Sequence, residues 1–188
     1  MLFWRALLDD PQALALEARS FHAPEDDQAY FNLREALPNL PDEEQPAAFF
    51  ILNRLAFSGI MFGGRTRLRQ QGVGRRVQAA IERLLDFRAP LLSVAHAPFQ
   101  ESLPRHADDF LYLDPPYYAA RGLYAVGGNG SFDHAGLAAL LRAREGWLLS
   151  YDDCEWVRNA YAGCRFDTPR WAYNLNRSKE SGELLIRP

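Results

Sequence analysis

The segment best suited to chemistry is Asp114-Pro115-Pro116-Tyr117, which follows the apolar residues 110–113. The apolar run predicts a short buried strand, and ligands of open α/β sheets bind outside the carboxyl ends of the strands. The two prolines lack an N–H donor, so the segment offers a carboxylate and carbonyl oxygens. Together with the flat face of Tyr117, these groups predict a site for a planar group that carries N–H donors.

The exocyclic amine of a nucleobase is such a group. Asp114 and the Pro115 carbonyl could each accept one of its N–H groups, which would free the nitrogen lone pair for attack on a methyl group. Asp114 would then stabilise the positive charge that develops on the nitrogen, and the base must leave the duplex stack to enter the site. The alternative is that the segment is only a turn.

The charge distribution favours a nucleic-acid partner more than the net charge of −3 does. Residues 1–44 hold ten acidic and three basic residues, a charge of −7, so the remainder carries +4. No acidic residue occurs in residues 45–81, where six arginines lie: Arg54, Arg65, Arg67, Arg69, Arg75 and Arg76. The last five lie among Gly63, Gly64, Gly72 and Gly74, a composition typical of a mobile loop that contacts phosphates. The alternative is a loop that is merely solvated.

The elements that must position these residues follow from hydrophobic periodicity and end signals. Helices are predicted at residues 2–21 with a break near Pro11, and at 41–60, 75–87, 133–144 and 154–163. Strands are predicted at residues 90–96, 109–114 and 146–153, and residues 170–176 and 183–188 could pair as a hairpin. Asp133 is a plausible helix cap, and Asp152 and Asp153 are expected to cap the helix at 154–163 rather than line a pocket.

Strands that alternate with helices in the second half predict an α/β layer with a mostly parallel sheet. The apolar runs are too short for a membrane span, and Asp9 and Asp10 come too early for a signal peptide. Cys154 and Cys164 match no metal-ligand spacing, and neither do the four histidines, so we predict no metal site and reduced thiols in a cytoplasmic protein.

Several segments, taken in their order along the chain, resemble those of the Dam-like (D12 class) adenine-specific DNA methyltransferases, particularly members of prophage type. The segment "DFLYLDPPYY" resembles the catalytic strand and loop of that family, and "FFILNRLAFSGI" resembles its Asn-Arg-x-x-Phe-Ser-Gly segment. The stretches "LFWRALLDDPQAL", "RGLYAVGGNGSFDHAGLAALL", "WLLSYDDCEWVRNAYAG" and "WAYNLNRSKESGELLI" resemble further family segments. The resemblance implies a Rossmann-like class I methyltransferase sheet with a helical DNA-recognition insert.

The resemblance also assigns roles to residues. Asp114, Pro115, Pro116 and Tyr117 are implied to be catalytic, and Asp114 and Phe99 to contact the cofactor, S-adenosylmethionine. Double-stranded DNA is the implied partner, and its implied contacts are Asn53, Arg54, Ser58, Arg65, Arg67, Arg69, Arg75, Arg76 and Lys179. The implied organisation is a helical segment at 1–40, a target-recognition region at 41–90 and a catalytic α/β half at 91–188.

The chain departs from the family in its cofactor segments. The family begins with Trp-x-Gly-Gly-Lys, then has a Phe-x-Gly-x-Gly loop that cradles S-adenosylmethionine and an acidic residue for its ribose, and these 188 residues contain none of them. Pro98 also replaces the acidic residue that usually precedes the position of Phe99. We therefore expect a sheet that is incomplete at its N-terminus and weak cofactor binding by this chain alone.

Several explanations of this departure stay open. The gene is truncated or its start is misassigned, a second chain supplies the missing half, or the chain is a decayed prophage remnant. A non-enzyme alternative is DNA binding without catalysis. A further enzyme alternative is methylation of a protein amide nitrogen, although those enzymes favour Asn-Pro-Pro-Tyr.

Overall fold

The computed structural model describes residues 1–21, 24–59, 61, 67–69, 71–119, 132–169 and 182–188. By its contacts the chain divides into two compact units, Met1–His96 and Ala97–Pro188. Each unit has its own hydrophobic core. The functional domain boundaries expected from the sequence, at residues 40 and 90, stay predictions.

The described part of the first unit is helical. Its helices are α1 (Leu2–Asp9), α2 (Pro11–Ser20), α3 (Asp27–Ala36), α4 (Gln45–Leu55) and α5 (Val73–Leu85), with short 3-10 turns at Leu37–Asn39 and Phe57–Gly59. The predicted break near Pro11 is confirmed. The Asp10 carboxylate accepts a hydrogen bond of 2.8 Å from the Ala13 amide, and Pro11 begins α2, where a missing N–H costs little.

The core of the first unit forms where the apolar faces of these helices meet. Val77, Ile81 and Leu84 on α5 are buried, and Leu85 is half-buried against the same core. This confirms the apolar face that the sequence predicts for α5. In α4, Ile51 and Leu52 are almost fully buried.

Three sequence expectations in this unit need correction. The helix predicted at 41–60 is shorter and spans Gln45–Leu55. Helix α3 was not predicted, although Asp26 caps it by accepting a hydrogen bond of 2.7 Å from the Ala29 amide. The strand predicted at 90–96 is wrong, because these residues are not assigned to a strand, pair with no strand in the described ranges, and include Leu91, which is 99% exposed. An apolar run by itself does not provide the neighbouring strand that a sheet needs.

The second unit contains a sheet of four described strands, β1 (Leu111–Leu113), β2 (Trp147–Asp152), β3 (Arg165–Asp167) and β4 (Glu183–Arg187), in the order β1-β2-β4-β3. Strand β1 pairs with β2 in parallel, whereas β4 is antiparallel to both β2 and β3. The prediction of a mostly parallel sheet is therefore wrong for the described strands, and the sheet is mixed. The short strand β3 was not predicted, and the hairpin strand expected at 170–176 lies outside the described residues.

Three helices are described beside this sheet: α6 (Phe99–Arg105), α7 (His134–Arg142) and α8 (Glu155–Ala160). Helices α7 and α8 were predicted, and Asp133 caps α7 as expected, through a hydrogen bond of 2.8 Å from the Gly136 amide. The core contains Leu137, Leu141, Trp147, Leu149, Tyr151, Val157, Leu184 and Ile186. No helix within the described ranges is long and apolar enough to span a bilayer.

Candidate active site

The site begins at the edge of the sheet where Asp114 follows β1. Because β1 and β2 are parallel, their carboxyl ends lie at the same edge, and Asp152 is the last residue of β2. Strand β4 runs the other way, so its first residue, Glu183, pairs with Asp152 at this edge. The fold thus brings three carboxylates to one end of the sheet from distant parts of the chain.

Asp114 is exposed at this edge. Partial removal of its carboxylate from water, and secondarily the negative charge of Glu183, raise the pKa of Asp114 above its usual value. Among the described residues it forms no ion pair, so no basic side chain there competes for its oxygens. The half-buried Pro115 and Pro116 follow and contribute no amide donors.

Tyr117 is held by its hydroxyl group. The hydroxyl donates to Glu183 Oε1 at 2.6 Å and lies 3.0 Å from Ser150 Oγ. Ser150 Oγ donates to the same Glu183 oxygen at 2.5 Å, so one carboxylate oxygen accepts from both hydroxyl groups. Burial and the hydrogen bond to Glu183 raise the pKa of Tyr117, so the phenol stays protonated at neutral pH.

Asp152 holds the backbone that follows the motif. Its two carboxylate oxygens accept hydrogen bonds from the amides of Tyr118 at 2.7 Å and Ala119 at 2.9 Å. The expected capping role is wrong for both aspartates, because Cys154 is the N-cap of α8 and no side chain caps it. Asp153 instead pairs with Arg158 at 2.6 and 2.7 Å, which lowers the pKa of Asp153.

Sequence reasoning undervalued Asp152 and did not single out Glu183. The signal for Asp152 was its position at a strand end, which the sequence shows. No local signal identifies Glu183, because its partners lie 33 and 66 residues away in the chain.

Aromatic side chains surround the base of the motif. Tyr118 stacks on Trp156 with ring centroids 4.5 Å apart and planes 3° apart, and His134 meets both rings edge-on. Phe99 is half-buried at the start of α6, with its ring 5.2 Å from that of Phe132. The role of Phe99 in cofactor binding stays a prediction.

In the first unit, Asn53 contacts the turn after α4, and Arg54 contacts Asn53. The Asn53 amide donates to the Gly59 carbonyl at 3.1 Å, and Arg54 donates to Asn53 Oδ1 at 2.5 Å. Gly59 has φ of 76°, a conformation that glycine adopts without strain. These contacts order the turn, and contacts of Asn53 or Arg54 with DNA stay predictions.

The remaining residues that are predicted to contact DNA differ in their surroundings. The Arg67 amide donates to the Leu55 carbonyl at 2.7 Å, and Arg69 lies 3.7 Å from an Asp27 oxygen. Arg75 and Arg76 are exposed near the start of α5. Arg65, Lys179 and the side chain of Ser58 lie outside the described residues.

The described part of the second unit is thus a mixed α/β sheet, and the loop that follows β1 lies at its edge beside Asp152 and Glu183. Residues 1–175 match the family model of the D12 class N6 adenine-specific DNA methyltransferases, and the chain belongs to that family. Membership confirms the resemblance and implies a Rossmann-like methyltransferase fold, S-adenosylmethionine as the family's cofactor and DNA as its substrate. No curated protein gives a significant match.

Proposed function

We propose that this chain is a site-specific DNA methyltransferase that transfers a methyl group to the N6 atom of adenine. The observation that carries the proposal is the exposed Asp114 carboxylate at the carboxyl end of β1, followed by two residues without amide donors. An amino group that enters this edge meets acceptors, and membership in an adenine-specific family supports adenine as the base concerned.

The acceptor groups also fit a positively charged methyl donor. S-adenosylmethionine supplies, when bound, a methyl group on a cationic sulfur, and breaking that C–S bond leaves a neutral thioether. Asp114, Asp152 and Glu183 make the edge negative, which suits a cation.

Asp114 and Pro115 have separate roles in methyl transfer. The Asp114 carboxylate accepts one N–H of the N6 amino group, and the Pro115 carbonyl accepts the other. Because the nitrogen becomes positive as its lone pair forms the new C–N bond, these acceptors bind the transition state more tightly than the ground state. Asp114 then takes the proton that the nitrogen must release and passes it to water.

Tyr117 contributes its ring rather than its hydroxyl. The hydroxyl is bound by Glu183 and Ser150, so the ring is fixed at one end and its face can stack on an extruded base. The exposed Arg75 and Arg76 would neutralise DNA phosphates.

The test is methyl transfer from S-adenosylmethionine to DNA that lacks adenine methylation, with N6-methyladenine identified after digestion. The substitution Asp114→Ala should lower the rate about 100-fold or more, because it removes the group that stabilises the developing charge. DNA affinity should stay close to that of the parent.

Asp108→Ala provides the matched control. Asp108 is also exposed but precedes β1, at the opposite end of the strand from Asp114, so this variant should keep the parent rate. Methyl transfer by Asp114→Ala within tenfold of the parent would overturn the assigned role of Asp114. Because cofactor binding by this chain alone is expected to be weak, S-adenosylmethionine is raised until the rate no longer changes, and a parent that binds DNA but transfers no methyl group under those conditions would contradict the proposed function itself.

A further inference from the structure

Two acidic residues face each other across the central pair of strands. Asp152 on β2 and Glu183 on β4 are direct partners in an antiparallel register, so their side chains leave the same face of the sheet. Like charges in this arrangement destabilise a sheet. The pair therefore needs a compensating interaction, and both carboxylates find it in the same loop, residues 114–119, called here the motif loop.

Asp152 binds the backbone of the motif loop. Pro115 and Pro116 have no N–H, so the loop can be held by its amides only beyond the prolines. The Asp152 carboxylate receives the Tyr118 amide on one oxygen and the Ala119 amide on the other, at 2.7 and 2.9 Å. Hydrogen bonds to a charged acceptor are stronger than neutral ones, so this contact fixes where the chain leaves the motif.

Glu183 binds a side chain of the same loop. One of its oxygens accepts from the Tyr117 hydroxyl at 2.6 Å and from Ser150 Oγ at 2.5 Å. Ser150 is 1% exposed, so this end of the Tyr117 side chain is shielded from water. The contact fixes the hydroxyl end of the Tyr117 side chain. Pro115 and Pro116 restrict only the backbone, so they do not fix this end.

We propose that Asp152 and Glu183 are positioning residues that hold the motif loop, Asp152 through its amides and Glu183 through the Tyr117 ring, so that Asp114 and Tyr117 stand at fixed places for the incoming base. Neither carboxylate needs to touch the base. A displacement of about 1 Å in a reacting group can cost about 100-fold in rate, and a site is only as exact as the residues that support it. This inference rests on the proposed function and adds to it the residues that position its site.

The first test measures the motif loop directly and requires no activity. In the full chain, amide hydrogen exchange of Tyr118 and Ala119 is followed by NMR. Asp152→Ala should speed exchange of both amides at least tenfold. Asp152→Asn keeps one acceptor oxygen and should give a smaller increase. This second variant keeps the test decisive if Asp152→Ala does not fold. Unchanged exchange in both variants would overturn the role of Asp152.

Asp153→Ala is the matched control for this test. Asp153 is the next residue and has the same side chain, but it pairs with Arg158. Its replacement should leave exchange at Tyr118 and Ala119 as in the parent. Equal acceleration by Asp152→Ala and Asp153→Ala would mean that the strand end as a whole, not the Asp152 carboxylate, orders the loop.

The second test asks whether Glu183 acts through Tyr117. Glu183→Met keeps the side-chain length without a strong acceptor, and Tyr117→Phe keeps the ring without its hydroxyl. Each should lower kcat for methyl transfer about tenfold with KM for DNA within threefold, and the double variant should be no slower than the slower single variant, because both remove the same contact. Additive losses, near 100-fold together, would overturn the role of Glu183.

The outcomes separate this inference from the function on which it rests. A parent chain that transfers no methyl group contradicts the proposed function. In that case exchange of the Tyr118 and Ala119 amides still decides the role of Asp152, and a double-mutant cycle on the free energy of unfolding decides whether Glu183 and Tyr117 are coupled. Additive unfolding effects within about 0.5 kcal/mol would then overturn that coupling.

Discussion

At the scale of single residues, Glu183 acts on Asp114 through its charge, in addition to the hydrogen bonds that it accepts. It lies close enough to Asp114 to raise the pKa of that carboxyl, after the larger effect of partial burial. Tyr117 also lies near Asp114, but its phenol stays neutral because its own pKa is raised. Within the described residues, Glu183 is thus the charged group that shifts the titration of Asp114.

This charge predicts a change in the pH profile of methyl transfer. Asp114 works in its ionised form, so the rate falls as the pH drops through its pKa. Glu183→Gln keeps an acceptor for Tyr117 but removes the negative charge, so the pKa of Asp114 should fall and the acidic limb of kcat should move to lower pH. The measurement is kcat against pH with saturating DNA.

Glu155→Gln serves as the control for the pH profile. Glu155 is an exposed carboxylate in the first turn of α8, and the same chemical change there should leave the acidic limb in place. A limb that stays unmoved in Glu183→Gln, or that moves to higher pH, would show that the Glu183 charge does not control the titration of Asp114.

At the scale of elements, α2 is placed by one buried face. Helix α2 packs against α4 and α5, with Leu14 at 4% exposure and Leu16 at 61% exposure on the opposite side. Both residues are leucines in one helix, two positions apart. Replacing either leucine by alanine changes the helix propensity by the same amount, so a difference in the free energy of unfolding between the two variants reports the difference in burial.

The two leucines give a prediction for folding stability. Leu14→Ala should lower the free energy of unfolding by about 2–5 kcal/mol, since it leaves a cavity in the core. Leu16→Ala should change it by no more than about 0.5 kcal/mol, because the side chain contacts mostly water. Chemical denaturation of both variants provides the comparison, and similar losses in the two would mean that the side of α2 facing the core is assigned wrongly.

At the scale of the whole molecule, charge is separated along the chain. Residues 1–44 carry −7 and the remaining residues +4. In the first unit, Arg69 lies near the Asp27 carboxylate, whereas Arg75 and Arg76 are exposed at the start of α5. A molecule with a negative net charge of −3 can therefore bind a polyanion only through local basic surfaces.

This separation of charge predicts that particular arginines determine how DNA affinity depends on salt concentration. The logarithm of DNA affinity should fall with the logarithm of salt concentration by about 0.9 for each phosphate neutralised. Replacing Arg75 and Arg76 together by alanine should flatten that slope by about one to two units and weaken all sequences about equally. The measurement is affinity at several salt concentrations on cognate and random duplexes.

The control removes the same charge farther along the chain. Replacing Arg83 and Arg88, near the end of α5 and just beyond it, by alanine should leave the slope close to that of the parent. Equal flattening by both double substitutions would indicate a response to total charge rather than contacts at the start of α5. An unchanged slope in both would mean that the start of α5 is simply solvated.

Local signals in the sequence were sufficient for several helices, although not for α3, and they singled out the segment 114–117. Periodic apolar positions, the break near Pro11 and the expected cap Asp133 predicted α2, α5 and α7, because a helix is stabilised by contacts within a few residues. Asp114 was found in the same way, since an apolar run that stops at Asp-Pro-Pro-Tyr is visible in neighbouring residues.

Only the tertiary structure decided the sheet and the support of the motif. Residues 90–96 are as apolar as many strands, yet they pair with none of the described strands, and β4 runs antiparallel to β2, so the mostly parallel prediction was wrong for the strands that the structure describes. Asp152 and Glu183 reach the motif loop because β2 and β4 bring them to the edge where Asp114 lies. Strand pairing joins residues far apart in the chain, so its direction and its consequences for the site could not be obtained from any single stretch of sequence.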